Sequence, residues 1–296
     1  MTLAVACFPD ERAPASRLAA ALAAPLAPVT PHWFPDGETR PRVAAPAAEV
    51  TVVYRSLDRP NGKLVDLLLA ADAWRRAGAQ RLILVAPYFC YLRQDAVFEP
   101  GEPLSRDVVA PLIGARFDGV VTVQAHLHRT PDLAGALGTP ACNLWAVEPL
   151  ARALPSYSAR PLVVGPDAES APWAQAWSRR LCGDAIALSK RRMGDRDVAV
   201  ADLPAAAVRE RPVVLIDDVA ASGETLARAV LAAKRAGAAS IDVAVAHALM
   251  TPEATGRVKA AGARTIVSTD SIAHQTNAAP LAPILADAVR RMLESR

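Results

Sequence analysis

Short, uninterrupted apolar runs recur along this chain of 296 residues, each closed by proline, acid or glycine. Val213–Ile216 is one of them: four apolar residues, three of them β-branched, bounded by polar neighbours. A run so short and so dry predicts a fully buried strand. Leu82–Pro87 and Pro161–Gly165 read the same way, and they pass into loops containing an acid, Tyr88–Asp95 and Pro166–Asp167. Three times a helix-like segment ends in Ala-Gly-Ala and runs straight into such a strand, at Trp74–Tyr88, Ala233–Ala246 and Lys259–Ser268. Gly78, Gly237 and Gly262 each stand where a helix C-terminus takes a left-handed residue. This is the punctuation of βαβ units, and continuous apolar strands belong to parallel sheets covered on both faces. It predicts an α/β fold of two similar domains, 1–146 and 147–296, each a mostly parallel sheet flanked by helices. The joint is expected near Val147–Ser158, where Pro149, Pro155 and two serines interrupt the pattern. Leu281–Leu293 reads as a last helix packed on the second domain.

Composition narrows the function classes. With 33 basic and 30 acidic residues the formal charge is +3, too balanced to make nucleic acid the main partner. No uncharged apolar run is long enough to span a bilayer. The opening MTLAVACFPDER meets proline and acid too early for a signal peptide. Cys7, Cys90, Cys142 and Cys182 are scattered without a CxxC, so neither zinc nor a disulfide framework is indicated. A soluble, cytoplasmic protein is expected.

Chemistry concentrates where strands end. The strand at Val213–Ile216 runs into Asp217 and Asp218, then into a small-residue loop with Ser222, Gly223 and Thr225, then into a helix-like run from Leu226 to Ala236. Loop amides, hydroxyls and a helix N-terminus receive phosphate, and the two carboxylates suit a ribose diol or a shared divalent cation. An isolated pair of acids at a sheet edge would merely be solvated; the attached loop favours a phosphosugar. In the first half, Pro87–Asp95 (PYFCYLRQD) sets Arg93, Gln94 and Asp95 just beyond a strand, where open α/β sheets bind ligands. Phe34–Glu38 (FPDGE) is a turn with one aromatic and two acids, and Ser105 of PGEPLS stands where it could cap a helix from Arg106. Lys190–Arg192 is a basic run after a strand-like Ala185–Leu188; alone it would be a solvated patch. No Ser-His-Asp or Cys-His arrangement is evident, so the inventory is one of cations, acids and backbone-rich loops.

In this order the pieces resemble the ribose-phosphate diphosphokinase (PRPP synthetase) family, from about residue 30 to the C-terminus. They are Phe34–Glu38, Pro87–Asp95, Gly101–Ser105, Val120–His126, Gly165–Asp167, Lys190–Arg192, Asp217–Thr225 and Ser268–Ala288. The short PGEP linker is nearest the archaeal-type branch. The resemblance implies two domains of the type I phosphoribosyltransferase fold, ATP and ribose 5-phosphate as substrates, Mg2+ as cofactor, and a homodimer or higher homo-oligomer. It implies that Phe34 stacks on adenine while Asp36 and Glu38 read the base or ribose, and that Arg93 and Gln94 hold the ATP phosphates. His126 would ligate the magnesium on ATP, and Asp167 would serve a second metal or the ribose. Lys190 and Arg192 would neutralise the transferring diphosphoryl group from a mobile loop. Asp217 and Asp218 would bind the ribose hydroxyls, and Ala221, Ser222, Gly223, Glu224 and Thr225 the 5-phosphate.

Several positions depart from the family pattern. Gln124 stands where an acid usually precedes the metal-binding histidine, and His128 follows His126 at strand spacing. Glu169 and Ser170 replace two glycines, Ala221 replaces a common Asp or Ser, and Ala96–Glu99 is apolar and acidic where the family tends to be basic. A divergent enzyme is the leading expectation. A non-catalytic regulatory paralogue and a transferase acting on another phosphorylated pentose are the alternatives.

Overall fold

Each apolar run singled out in the sequence forms a strand of a parallel sheet. The structure is a computed structural model and describes residues 2–97, 99–127, 132–167, 170–188, 190–192, 198–200 and 203–294, with backbone alone in 190–192 and 198–200. It divides into two units, Met1–Leu144 with Leu281–Arg296, and Trp145–Pro280.

In the first unit the chain order is β1 (Leu3–Cys7), α1 (Arg12–Leu22), β2 (Leu26–Pro28), β3 (Thr30–Trp33), β4 (Thr39–Arg42), β5 (Val50–Tyr54) and α2 (Pro60–Arg76). It continues through β6 (Arg81–Val85), α3 (Ser105–Gly114), β7 (Gly119–Val123), α4 (Leu133–Leu137) and β8 (Ala141–Leu144). The second unit holds α5 (Val147–Ala153), β9 (Leu162–Gly165), α6 (Ala171–Leu181), β10 (Asp184–Ala187), β11 (Lys190–Arg192), β12 (Val198–Val200) and α7 (Ala205–Val208). There follow β13 (Pro212–Ala220), α8 (Glu224–Arg235), β14 (Ser240–Ala248), α9 (Pro252–Ala261), β15 (Thr265–Thr269) and β16 (Asn277–Ala279), before α10 (Ala282–Glu294).

The two sheets are β2-β1-β5-β6-β7-β8 and β10-β9-β13-β14-β15-β16, with parallel pairing throughout. Counted along the chain, both have the same order: second, first, third, fourth, fifth, sixth. Both also insert a two-stranded antiparallel hairpin between their second and third strands, β3–β4 in one and β11–β12 in the other. In each unit the strand order therefore reverses between the first and third strands, where a crevice opens at the carboxyl ends.

The glycine punctuation is borne out. Gly78, Gly237 and Gly262 follow α2, α8 and α9 at φ +104°, +86° and +122°, and each leads into its strand. Two expectations need correction. The segment from Val147 is a helix, α5, because Pro149 falls in its first turn, where amide groups have no intrahelical acceptor, and Pro155 lies beyond its end. The last helix, α10, belongs to the first unit, not the second. It packs on α1, and Arg81 on β6 donates to the carbonyls of Met292 (2.5 Å) and Leu293 (3.3 Å) at its C-terminal end. Arg290 reaches back to the carbonyl of Ala21.

The reversal point of the first unit is filled by its own charges. Arg55, 3% exposed at the end of β5, lies 4.1 Å from the Phe8 ring and pairs with Asp10 (2.7 Å) and Glu11 (3.3 Å). Lys63 pairs with Asp58 (2.6 Å) and Glu11 (3.3 Å), and the Ser56 amide donates to Glu11 at 2.8 Å. Burial pushes the Glu11 carboxyl up to about 7, against the pull of Arg55 and Lys63. A carboxyl raised above its unfolded value favours the folded state fully below that value, and the contribution is lost as pH rises through the folded one. Glu11→Gln should therefore gain stability relative to the parent chain between pH 4 and 8, by roughly 3 kcal/mol across that span. Denaturant titrations of both proteins at several pH values check this; parallel pH curves would refute it.

Candidate active site

The reversal point of the second unit is built differently. β13 carries Asp217 and Asp218 within its last residues, still paired with β14, so the two acids belong to the strand rather than to the loop after it. Asp167 follows β9, the neighbouring strand. The half-buried Asp217 carboxyl is pushed well above the ordinary range by burial first, then by the charge and hydrogen bond of Asp218, then by Asp167. Asp218 and Asp167 thus both lie within electrostatic reach of Asp217, and that repulsion is relieved when a cation or a diol arrives.

Beyond β13 the chain turns through Ala221 and Ser222 to Gly223, whose left-handed φ of +70° makes it the N-cap of α8. A Cβ there would lie 3.0 Å from the Ala254 carbonyl oxygen and 3.2 Å from Val258, so the loop sits close against α9 only because it is glycine. Ser222 Oγ accepts the Glu224 amide at 3.3 Å, while Ala221, Ser222, Glu224 and Thr225 are exposed. The Glu224 carboxylate would repel an anion at a helix N-terminus, but Arg228 (2.9 Å) and Arg257 (3.4 Å) hold and neutralise it. The loop and the first turn of α8 thus present donors and positive potential to a phosphate.

Ser170, which stands in place of a glycine of the family pattern, turns inward. Its hydroxyl donates to the Asp167 carbonyl and its amide donates to Asp167 Oδ1 at 3.1 Å. It fits because Gly165 has no side chain: a Cβ there would meet Ser170 Oγ at 2.1 Å and its Cβ at 2.9 Å. Gly165→Ala should destabilise the second unit by about 1–3 kcal/mol, as overpacked cores do. The double variant Gly165→Ala with Ser170→Gly should recover most of that loss, read by thermal unfolding; an additive double variant would refute the coupling. Glu169 lies outside the described residues.

In the first unit the candidate residues leave neighbouring strands. Tyr91 (φ +60°), after β6, and Gln124 (φ +44°), after β7, both hold left-handed backbone, an arrangement that clusters at ligand sites. The Pro87 carbonyl ties the two strand ends together, accepting from the Val123 amide (3.2 Å) and Thr122 Oγ1 (3.4 Å). Arg93 and Gln94 are exposed, and Asp95 is buried, within electrostatic reach of Arg106. Ser105 does not cap α3; its hydroxyl donates to Gln94 Oε1 at 2.5 Å and so orients that amide. His126 is partly buried and lies past the end of β7, which stops at Val123. His126 is therefore not carried by the strand itself, and His128 lies outside the described residues.

Phe34–Glu38 is the tip of the β3–β4 hairpin. The Phe34 amide donates to the Glu38 carbonyl (2.9 Å), Asp36 Oδ1 accepts the Glu38 amide (3.1 Å), and Gly37 sits at φ +93°. The Phe34 ring stands edge-on to His32 (4.6 Å between centroids) with the Arg40 guanidinium 5.7 Å away. Trp33 is 64% exposed and Phe34 36%, so the tip offers aromatic surface outward. Lys190 and Arg192 lie in β11 of the other hairpin, so their backbone is a strand paired with β12 rather than a free loop; their side chains lie outside the description.

Residues suited to a divalent cation are present, though among the described residues no three His, Cys, Asp or Glu side chains converge in a ready-made cage. The oxygens of Asp167, Asp217 and Asp218 and the buried, unpartnered Oε1 of Gln124 near His126 are hard donors of the kind magnesium takes. Sequence reasoning missed Asn143, whose Oδ1 accepts the Ala125 amide at 2.9 Å and braces the chain before His126. No local pattern marks it, because its partner is 18 residues distant.

The chain matches two family models: the N-terminal domain of ribose phosphate pyrophosphokinase over residues 4–116, and the phosphoribosyl transferase domain over residues 150–282. It is 35% identical to a ribose-phosphate pyrophosphokinase of Methanopyrus kandleri over 93% of this chain and 94% of that one. It is 32% identical to a ribose-phosphate pyrophosphokinase of Agrobacterium fabrum over 92% and 91%. The crystal structure of phosphoribosylpyrophosphate synthetase from Mycobacterium smegmatis shares the fold, with a TM-score of 0.83 over the whole of both chains at 23% identity.

Proposed function

The chain belongs to the ribose-phosphate pyrophosphokinase family, and we propose that it transfers the β,γ-diphosphoryl group of ATP to the 1-hydroxyl of ribose 5-phosphate, giving PRPP and AMP. The observation that carries this reading is the open strand-order reversal of the second unit, where three carboxylates adjoin a hydroxyl-bearing loop at a helix N-terminus. That set suits a phosphorylated pentose: acids for the ribose hydroxyls at Asp217 and Asp218, and donors for the 5-phosphate from Ala221 to Thr225.

The nucleotide belongs to the first unit. Arg93 and Gln94 hold its phosphates, Gln94 being oriented by Ser105. Phe34 stacks on the adenine and Asp36 and Glu38 read the base or its ribose. The exposed tip of β3–β4 serves the site of a neighbouring subunit in a homodimer or larger homo-oligomer. Magnesium would neutralise and orient phosphate oxygens: His126 in the first unit would hold the ion that comes with ATP, and Asp167 in the second would serve a second ion or the ribose. The sugar 1-hydroxyl attacks the β-phosphorus, its bond to the AMP oxygen breaks, and no side chain becomes covalently attached. The protein's work is positioning and charge neutralisation, and Lys190 and Arg192 supply positive charge as the diphosphoryl group passes. No described helix is long and apolar enough to cross a membrane, and all four cysteines are free, in keeping with a cytoplasmic enzyme.

The test is AMP formation by the purified protein with magnesium and ATP, with and without ribose 5-phosphate. Strong stimulation by the sugar phosphate, with PRPP as co-product, is expected. A protein that binds ATP without such stimulation would instead be a regulatory paralogue or use a different pentose.

A further inference from the structure

The loop that carries Arg93 and Gln94 is tied at its start to the loop after β5. The Leu57 amide donates to the Tyr88 carbonyl at 2.9 Å, and the Tyr88 amide to Ser56 Oγ at 3.3 Å. Ser56 is fixed in turn, because its amide donates to Glu11 at 2.8 Å and its carbonyl accepts from Lys63 at 2.9 Å. Three residues beyond Tyr88, the Tyr91 hydroxyl donates to the side-chain oxygen of Asn61, in the first turn of α2. Tyr91 is held at φ +60° between the buried Cys90 and Leu92, and its ring packs against the core of the first unit. A left-handed tyrosine persists only where its surroundings impose that backbone. The bond to Asn61 fixes its side chain to a helix. Its carbonyl accepts the Gln94 amide at 3.3 Å, so the turn that bears Arg93 starts from this one residue.

We propose that Tyr91, pinned by Asn61, is a positioning residue for the nucleoside triphosphate: the pair sets the turn from which Arg93 and Gln94 reach its phosphates. This rests on the reading of Arg93 and Gln94 as phosphate ligands given above. Both side chains are exposed, and Gln94 has a support of its own in Ser105. Arg93 therefore stands between two pins, Tyr91 before it and Ser105 beyond it. One hydrogen bond at the surface adds little to global stability, because water replaces it in the unfolded chain. It still governs the aim of a loop, since affinity falls with the fraction of molecules whose site is set for the ligand. Without the hydroxyl the left-handed turn relaxes toward ordinary backbone, and the nucleotide must restore it on binding.

The experiment is calorimetric titration of the full chain with the Mg2+ complex of an α,β-methylene analogue of ATP, which resists cleavage. Tyr91→Phe keeps the ring and removes the hydroxyl, and Asn61→Ala removes its acceptor. Each should weaken analogue binding about three- to tenfold, the range of one net hydrogen bond. The double variant should bind no more weakly than either single one. Affinity for ribose 5-phosphate and the thermal melt should keep their parental values. In an Arg93→Ala background Tyr91→Phe should cost less than about twofold, because the side chain it aims is gone. A Tyr91→Phe chain that binds the analogue like the parent overturns the proposal, and so do losses that add to that of Arg93→Ala. A lowered melt with ribose 5-phosphate affinity lost in parallel would make the pair structural and overturns it too. Arg93→Ala by itself separates the two levels. If it leaves analogue binding unchanged, the reading of Arg93 fails; if it weakens binding while Tyr91→Phe does not, the proposal alone fails.

Discussion

Lys190→Ala is expected to lower kcat by about 10²–10³-fold while leaving the unfolding transition in place, the scale on which removing one preorganised charge-stabilising group acts. In diphosphoryl transfer negative charge is spread over the migrating group while it is bonded firmly to neither oxygen, and the protein's means of lowering that barrier is a cation held ready. Lys190 lies in β11, which pairs with β12 outside the six-stranded sheet, so its truncation leaves that sheet whole. The Michaelis constants should move little, because the charge it answers develops in the transition state. Steady-state kinetics beside a thermal melt reads both halves of the expectation. Near-parental turnover would remove Lys190 from the mechanism, and a collapsed melt would make its role structural.

Asp217→Asn couples a loss to a gain. The variant should lose about 10²-fold in kcat/KM for the sugar phosphate, since an amide donates where the ribose hydroxyls need an acceptor. It should also melt higher than the parent at pH 8. The Asp217 carboxyl is raised by burial, by Asp218 and by Asp167. Its favourable contribution to folding is therefore complete only below the ordinary value of 3.8 and is lost as pH rises through its folded value. At pH 8 the ionised group is a liability that asparagine lacks, and toward pH 4 the advantage should vanish. Melting curves of both proteins from pH 4 to 8 decide it. A variant less stable at pH 8 would mean that the carboxylate is well satisfied in the free protein.

Such trade-offs suit a site whose acids are gathered for a ligand rather than for stability. The same position in the first unit makes the contrast, because Arg55 and Lys63 already neutralise Asp10, Glu11 and Asp58 there. In the second unit the corresponding carboxylates instead raise one another's affinity for protons, as Asp218 and Asp167 do for Asp217. The candidate ligand residues of the first unit lie instead after its fourth and fifth strands, β6 and β7.

Much of this was legible in the residues. Short apolar runs and Ala-Gly-Ala breaks located the strands and helix ends, because burial and left-handed backbone are demands that single residues meet or fail to meet. The loop at Asp217–Thr225 was readable for the same reason: acids, hydroxyls and glycine occupy consecutive positions. The terminal helix was misplaced because an amphipathic stripe shows that a helix packs, not on what; the partners of α10, Arg81 and α1, are distant in sequence. Ser105 was read as a cap because caps are local, whereas its partner Gln94 is reached across a loop.

What the sequence determined by itself was the class of fold, its doubling and the family, and it nominated candidate residues for the chemistry, all from pattern within a few neighbouring positions. Tertiary structure decided which strand ends meet, which reversal point is filled by its own salt bridges, that Ser170 turns toward Asp167, and that Gln124 is held left-handed by β8. Those outcomes depend on pairing between residues far apart in the chain. Their free energies come from burial and hydrogen bonds that exist only once the sheet order is set.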